Sequence, residues 1–210
     1  KNSRPQEETI GGNYSVEDFK VYNSSSNINL SGVLTLPNNV TDFPTVVFIT
    51  GSGPNDKDHS IFGHKNFLVM SDLLAKSGIA SLRLDDRGVG NSEGNFSKAT
   101  VYDLAEDISI AVNTLKKDKR INGAKIGLLG HSLGAEIAPI VSVQNPNVNF
   151  IVMMAGSAAP LYSCIIDQTE KIYAEKAISK KAVLITTEIL IHLFESLLKY
   201  KDDEKAKQYF

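Results

Sequence analysis

The sequence predicts an α/β fold in which a mostly parallel sheet is covered by helices on both faces. Short apolar runs and amphipathic helical segments alternate up to about residue 155, the pattern of strands joined by helical crossovers. Near the start, residues 16–21 and 28–36 roughly alternate between apolar and polar, with an Asn- and Ser-rich turn between them. This segment predicts an antiparallel hairpin at the sheet edge. A chain of 210 residues is long enough for one domain, or for one domain with a small insertion.

Four apolar runs predict buried strands, because each is short and continuously hydrophobic. They are residues 45–50, 79–84, 126–129 and 149–155. Apolar residues at helical spacing predict helices over residues 67–74, over residues 103–117, and from about residue 133 to 143. Residues 161–177 and 181–200 predict two further helices, within which residues 182–186 are the one segment that could instead form a strand. Polar residues 1–14 predict a loose arm, and residues 201–207 predict a charged, solvated tail.

Composition excludes several classes of function. A net charge of −2 gives no electrostatic sign of nucleic-acid binding. The sequence contains no run of 18 apolar residues, so it predicts no membrane span. The single cysteine, Cys164, excludes an internal disulfide. Because the chain begins at Lys1 rather than Met, an upstream piece is expected to be missing, and export from a bacterial cell is favoured over a cytoplasmic location.

The motif around which the chain is organised is the pentapeptide Gly130-His131-Ser132-Leu133-Gly134, between a predicted strand and a predicted helix. A serine on a strained strand-to-helix corner projects its Oγ beyond the sheet edge, and only small neighbours leave room for it. The helix start places backbone N–H groups where negative charge on a substrate oxygen would develop. The alternative interpretation is an ordinary Gly-rich turn with a serine at the helix N-cap.

Two more loops precede this pentapeptide in a definite order. Gly51-Ser52-Gly53-Pro54 follows the run at 45–50, and DDRGVGNS, residues 85–92, follows the run at 79–84. With the hairpin and the serine motif, these loops resemble the α/β-hydrolase fold. More narrowly, the chain resembles bacterial esterase-like hydrolases related to the serine aminopeptidase (S33-like) group, which the segment IFGHK at residues 61–65 also resembles. The resemblance covers residues 16–160.

The resemblance implies a three-layer α/β-hydrolase core over residues 1–160 and the start of a helical cap insertion over residues 161–210. It also implies cleavage of a small-molecule carboxylic ester through an acyl-serine intermediate, with no metal or organic cofactor. Ser132 matches the nucleophile, and the backbone N–H of Leu133 matches one oxyanion donor. The N–H of Ser52 is expected to be the other. Thr50 stands where many relatives carry His, and Leu133 where this group often has Glu. Both departures are expected to affect substrate preference.

The C-terminal part departs further from the family pattern. In this fold the catalytic Asp and His follow later strands, and no strand with a following Asp or His loop is recognisable after Ala155. The 210-residue chain is therefore expected to be incomplete as an enzyme and nearly inactive by itself. Two alternatives stay open: a truncated, non-catalytic binding or structural protein, and a peptidase of the same fold. An unpaired sheet edge near residues 149–155 would favour self-association.

Four histidines are candidates for other roles. His131 is expected to pack behind the turn. His59 and His64 lie in or near the loop expected to overhang the site, which makes His64 a candidate for substrate contact. His192 lies on a candidate cap helix and is disfavoured as a replacement base.

Several charged residues also invite functional interpretations. Asp85, Asp86 and Arg87 could be taken for catalytic acids and a charge partner, but the resemblance implies a structural role for Asp85 and Arg87. Asp56 and Asp58 are too few to predict a cation site.

Overall fold

The computed structural model describes residues 11–38, 41–157, 159–176 and 178–200. The strands are β1 (Tyr14–Asn23), β2 (Ile28–Pro37), β3 (Phe43–Ile49), β4 (Ser60–Ile61), β5 (His64–Lys65), β6 (Ala80–Leu84), β7 (Ile121–His131) and β8 (Phe150–Met154). The helices are α1 (Asn66–Lys76), α2 (Val101–Leu115), α3 (Leu133–Gln144), α4 (Leu161–Glu175) and α5 (Lys180–Tyr200), with a short 3-10 helix at Phe96–Lys98. The expected tail and most of the expected arm lie outside the described residues.

Six of the strands form one mixed sheet in the order β1-β2-β6-β3-β7-β8. The β1–β2 hairpin is antiparallel, as predicted, and β2 also pairs antiparallel with β6. From β6 onward the neighbours are parallel: β3 with β6, β3 with β7, and β7 with β8. Since β3 lies between β6 and β7, the loops that follow these three strands leave the same edge of the sheet side by side.

The sheet is covered on both faces, which confirms the predicted layers. Phe48 of β3 stacks on Phe67 of α1, with ring centroids 4.6 Å apart. Its neighbours Val47 and Ile49 belong to the hydrophobic core formed with α2 and α3. Because successive side chains of a strand point to opposite faces, α1 lies on one side of the sheet and α2 and α3 lie on the other.

The structure decides one alternative that the sequence left open and extends one predicted strand. Residues 182–186 lie within α5, because an apolar stripe at helical spacing continues through them to Tyr200. β7 begins at Ile121, five residues before the predicted run, and this extra part includes a register irregularity opposite Phe43 and Thr45.

The contacts divide the chain into two compact units, one ending at Gly156 and the other beginning at Ser157. The first contains the sheet with α1, α2 and α3. In the second, α4 packs on α5, and the Tyr162 and Phe194 rings lie 6.0 Å apart. No helix within the described ranges is both long enough and apolar enough to cross a bilayer.

Candidate active site

Ser132 is the only residue between the end of β7 and the start of α3. Its backbone has φ +53° and ψ −116°, a conformation that residues with a Cβ rarely adopt. The surrounding hydrogen bonds hold it there: the Ser132 N–H donates to the carbonyl of Met154 in β8, and the Ser132 carbonyl accepts from the Ala135 N–H, both at 2.9 Å. The strained corner expected from the sequence is therefore present.

The two glycines that flank Ser132 are required by close backbone contacts. A Cβ on Gly130 would lie 2.0 Å from the carbonyl oxygen of Gly134. A Cβ on Gly134 would lie 2.3 Å from the carbonyl oxygen of Ile49, in the neighbouring strand β3. These distances are far below van der Waals contact, so only glycine lets β7, α3 and β3 meet at the serine.

The start of α3 lies at the position predicted for the first oxyanion donor. Leu133 is the first residue of this 12-residue helix, and the first N–H groups of a helix have no acceptor within the helix. The helix dipole adds partial positive charge at the same end. The N–H of Leu133 is the first of these groups, and its role as an oxyanion donor stays a prediction.

The loop after β3 lies against Ser132 and carries the second predicted donor. A Cβ on Gly51 would lie 3.4 Å from the Cβ of Ser132, so Gly51 is a loop residue that lies next to Ser132. Ser52 follows it and is exposed. The side-chain amide of Asn55 donates to the carbonyls of Gly51 (3.1 Å), Ser52 (3.4 Å) and Gly53 (2.7 Å), and these hydrogen bonds stabilise the conformation of the loop.

Asp86, in the loop after β6, connects to both ends of this loop. Its Oδ1 accepts from the Thr50 hydroxyl at 2.7 Å, and its Oδ2 accepts from the Asn55 backbone N–H at 2.9 Å. Burial, with a smaller contribution from the negative charge of Asp107, raises the pKa of Asp86 to about 6, although the hydrogen bonds from Thr50 and Asn55 act to lower it. The sequence showed no signal for this role, because Asp86 lies 36 positions from Thr50 and 31 positions from Asn55.

The neighbouring residues of the same loop are structural, as the resemblance implied. Asp85 is buried and accepts from the Lys57 backbone N–H at 2.9 Å. Arg87 donates from its Nε to Asp107 of α2 at 2.8 Å and from a terminal nitrogen to the other oxygen at 2.9 Å. This bidentate pair fixes the loop to α2.

Two histidines, His59 and His131, contact each other next to the turn that carries Ser132. His59 is buried, stacks on Phe67 at 4.6 Å and meets the His131 ring edge-on at 4.8 Å. Burial lowers the pKa of His59, the proximity of His131 lowers it further, and Asp56 partly opposes the shift. Neither Nδ1 atom has a hydrogen-bond partner among the described residues. His131 therefore packs against His59, and Phe67 and His131 enclose the His59 ring.

The remaining candidates lie elsewhere. His64 begins β5 in a small exposed hairpin, and no hydrogen bond joins any described histidine to Ser132. Asp58 pairs with the buried Arg83 and, at 3.7 Å, with Lys65. His192 is an exposed residue of the second unit, 3.6 Å from Glu195.

A strained serine between a central strand and a helix, on a mixed sheet covered on both faces, defines an α/β hydrolase. Solved structures share this fold: the α/β hydrolase GrgF from Penicillium superposes with a TM-score of 0.61 at 20% identity, over 77% of this chain and 53% of that one. An esterase from Pyrococcus furiosus gives 0.60 at 22% identity, over 83% of this chain and 60% of that one.

Sequence comparison narrows the class to a family. The family model for serine aminopeptidase, S33, matches residues 65–208, and the chain belongs to that family. Esterase EstD of Thermotoga maritima is 34% identical over 139 residues, which make up 66% of this chain and 33% of that protein. An uncharacterized 31.7 kDa Escherichia coli protein is 30% identical over 96 residues, 45% of this chain and 34% of that protein. The chain thus spans about a third of the length of these relatives.

Proposed function

We propose that this protein is a serine hydrolase that cleaves carboxylic esters, with Ser132 as the nucleophile. The observation that carries the proposal is the backbone of Ser132, held at φ +53° between β7 and the N-terminus of α3. Such strain is retained only where surrounding structure over-determines it, and it clusters at reactive sites. The likeness to an esterase in sequence supports the choice of an ester substrate.

In the proposed reaction, Ser132 Oγ attacks the acyl carbon and loses its proton to a general base. The carbonyl oxygen takes up negative charge, which the N–H groups of Leu133 and Ser52 would stabilise. Loss of one such donor typically costs about 3–4 kcal/mol of transition-state stabilisation. The alcohol then leaves with the proton, and water hydrolyses the acyl-serine by the reverse transfers.

The general base and its acid are not identified among the described residues. In the described part of the first unit, no histidine is hydrogen-bonded to a carboxylate or to Ser132. We therefore propose that the 210-residue chain by itself has little activity, since removal of the base from a triad leaves only small residual catalysis.

A fluorophosphonate probe tests the nucleophile directly, because it labels activated serines. The mature gene product, its mass established by mass spectrometry, should be labelled at Ser132 and should hydrolyse a p-nitrophenyl ester, and Ser132→Ala should abolish both. The 210-residue chain should show neither. Ester hydrolysis by the 210-residue chain that Ser132→Ala abolishes would contradict the proposed incompleteness. Hydrolysis by the mature product that survives Ser132→Ala would contradict the nucleophile.

A matched ester and anilide of the same amino acid then separate esterase from peptidase activity. We expect the ester to be cleaved and the anilide to be cleaved far more slowly. Equal cleavage of the anilide would assign the protein to the peptidases of this fold. A mature product that reacts with none of these reagents would be a non-catalytic member of the family.

A further inference from the structure

The carboxylate of Asp86 holds the loop beside the nucleophile at both ends. Thr50, the last residue before the Gly51–Gly53 segment, donates its hydroxyl to Oδ1 at 2.7 Å, and Asn55, just beyond the segment, donates its backbone N–H to Oδ2 at 2.9 Å. The backbone also joins the two loops, since the Asp86 N–H donates to the Asn55 carbonyl at 3.1 Å. Asp86 is thus bound to the loop by three separate hydrogen bonds.

The same arrangement determines where the Ser52 N–H points. The Asn55 side chain holds the carbonyl of Gly51 at 3.1 Å and that of Gly53 at 2.7 Å. All described peptide bonds are trans, so the N–H of Ser52 points opposite to the Gly51 carbonyl with which it shares a peptide plane. The Ser52 N–H therefore points away from Asn55, and its direction depends on where Asn55 is held.

We infer that Asp86 is a positioning residue, which aims the oxyanion donor of Ser52 by holding Thr50 and Asn55. This inference rests on the proposed function, since it assigns Ser52 to the oxyanion hole. Asp86 contacts neither substrate nor Ser132 in this role. Its effect passes through the loop alone.

While Asp86 is ionised, one of its oxygens accepts from the Thr50 hydroxyl and the other accepts from the Asn55 N–H. When the carboxyl is protonated, one oxygen carries a hydrogen and accepts more weakly, so one of these two hydrogen bonds would be weakened. Burial raises the pKa of Asp86 to about 6, which places this change near neutral pH. The charged groups around it are Asp107 of α2, with its partner Arg87, and Asp85, which lies 3.6 Å from the ammonium group of Lys57. Asp85 pairs with Lys57 and Arg87 pairs with Asp107, whereas no described cation forms an ion pair with Asp86.

The backbone amides of the loop give a test that needs no catalysis. In the 210-residue chain, the amide NMR signals of Gly51, Ser52 and Gly53 should shift with pH, with a midpoint near 6. Asp86→Asn should remove that transition. Thr50→Val removes a hydrogen bond that lowers the pKa of Asp86, so it should move the midpoint to higher pH while it leaves the carboxylate in place.

Asp42→Asn is the matched control. Asp42 lies just before β3, at the opposite end of the strand from the loop, and its φ of +58° suits Asn. It should leave both the transition and its midpoint unchanged. Loop amides that do not titrate, or that titrate alike in wild type and Asp86→Asn, would overturn the positioning role. Thr50→Val keeps the test open if Asp86→Asn does not fold.

Kinetics of the mature gene product separate this inference from the proposed function. Asp86→Asn should lower kcat roughly 10- to 100-fold with little change in KM, less than the roughly 100- to 1,000-fold cost of losing a donor outright. If Ser132→Ala abolishes activity but Asp86→Asn keeps the wild-type kcat and pH profile, the positioning role is wrong and the nucleophile stands. If Ser132→Ala retains activity, the proposed function itself is wrong.

Discussion

Replacement of Ser132 by glycine should stabilise the fold, because glycine adopts the backbone conformation of this position without steric cost. A residue with a Cβ at φ +53° and ψ −116° carries about 1–3 kcal/mol of strain. The greater conformational entropy of glycine in the unfolded chain offsets part of this gain, by about 0.5–1 kcal/mol. The side chain of Ser132 makes no capping hydrogen bond, so its loss removes little else. We expect Ser132→Gly to raise the free energy of unfolding by about 1–2 kcal/mol relative to Ser132→Ala.

The alanine variant is the necessary reference, since it also removes the hydroxyl but keeps the Cβ and the strain. Its stability should lie within about 0.5 kcal/mol of the wild type. The same pair at Ser142, inside α3, should give the opposite sign, with glycine about 1 kcal/mol less stable than alanine.

Urea denaturation followed by far-ultraviolet circular dichroism would measure these differences. Thermal unfolding should agree, with about 2–4 °C for each kcal/mol in a chain of this size. If Ser132→Gly is no more stable than Ser132→Ala, while the glycine and alanine variants at Ser142 differ as expected, the backbone at Ser132 carries no strain.

Three further predictions follow from the same region and the sheet edge. Gly134→Ala should destabilise the fold by about 3 kcal/mol or more, because the new Cβ would lie 2.3 Å from the Ile49 carbonyl oxygen. Gly123→Ala is the control and should be nearly neutral, because its nearest contact is a flexible side chain at 3.4 Å. Equal urea midpoints for the two variants would contradict this prediction. Because the pKa of Asp86 is raised from 3.8 to about 6 in the folded state, the folded protein binds this proton more tightly, and the free energy of unfolding should fall as pH rises from about 4 to about 6, by up to about 3 kcal/mol. Asp86→Asn should remove that part of the pH dependence, and identical stability curves for variant and wild type would refute it. Self-association through β8 stays a prediction, and sedimentation analysis should show dimers. Val152→Lys should weaken these dimers, because Val152 is 41% exposed on the outermost strand of the described sheet. A monomer at all concentrations would contradict the prediction.

Most of the fold could be predicted from local patterns. The run at 45–50 became β3, and the hairpin at 16–36 became β1 and β2, because continuous or alternating hydrophobicity reports directly on how a strand is buried. Residues 182–186 show the limit of such patterns. A short apolar stretch suits a strand or a helix equally, and in the structure it forms part of the long helix α5.

The candidate site was predictable in its centre and not in its surroundings. The position of Ser132 follows from adjacent residues, and so does the need for glycine at 130, which is crowded by Gly134 of the same corner. The crowding at Gly134 comes from Ile49 in β3, a contact that exists only in the folded sheet. His59 could not be placed, because its burial depends on Phe67 and on His131, 72 positions away along the chain.

The sequence by itself determined the strained corner and the serine at its centre, because the forces that shape a turn act between near neighbours. Only the tertiary structure decided what surrounds that serine. β3 lies between β6 and β7, so the loop after β3 meets Ser132 on one side and Asp86 on the other. Asp86 lies 36 positions from Thr50 and 31 from Asn55, and no local pattern records a hydrogen bond across such a separation. The order of the strands brings these groups together, and that order is set by the packing of the whole sheet.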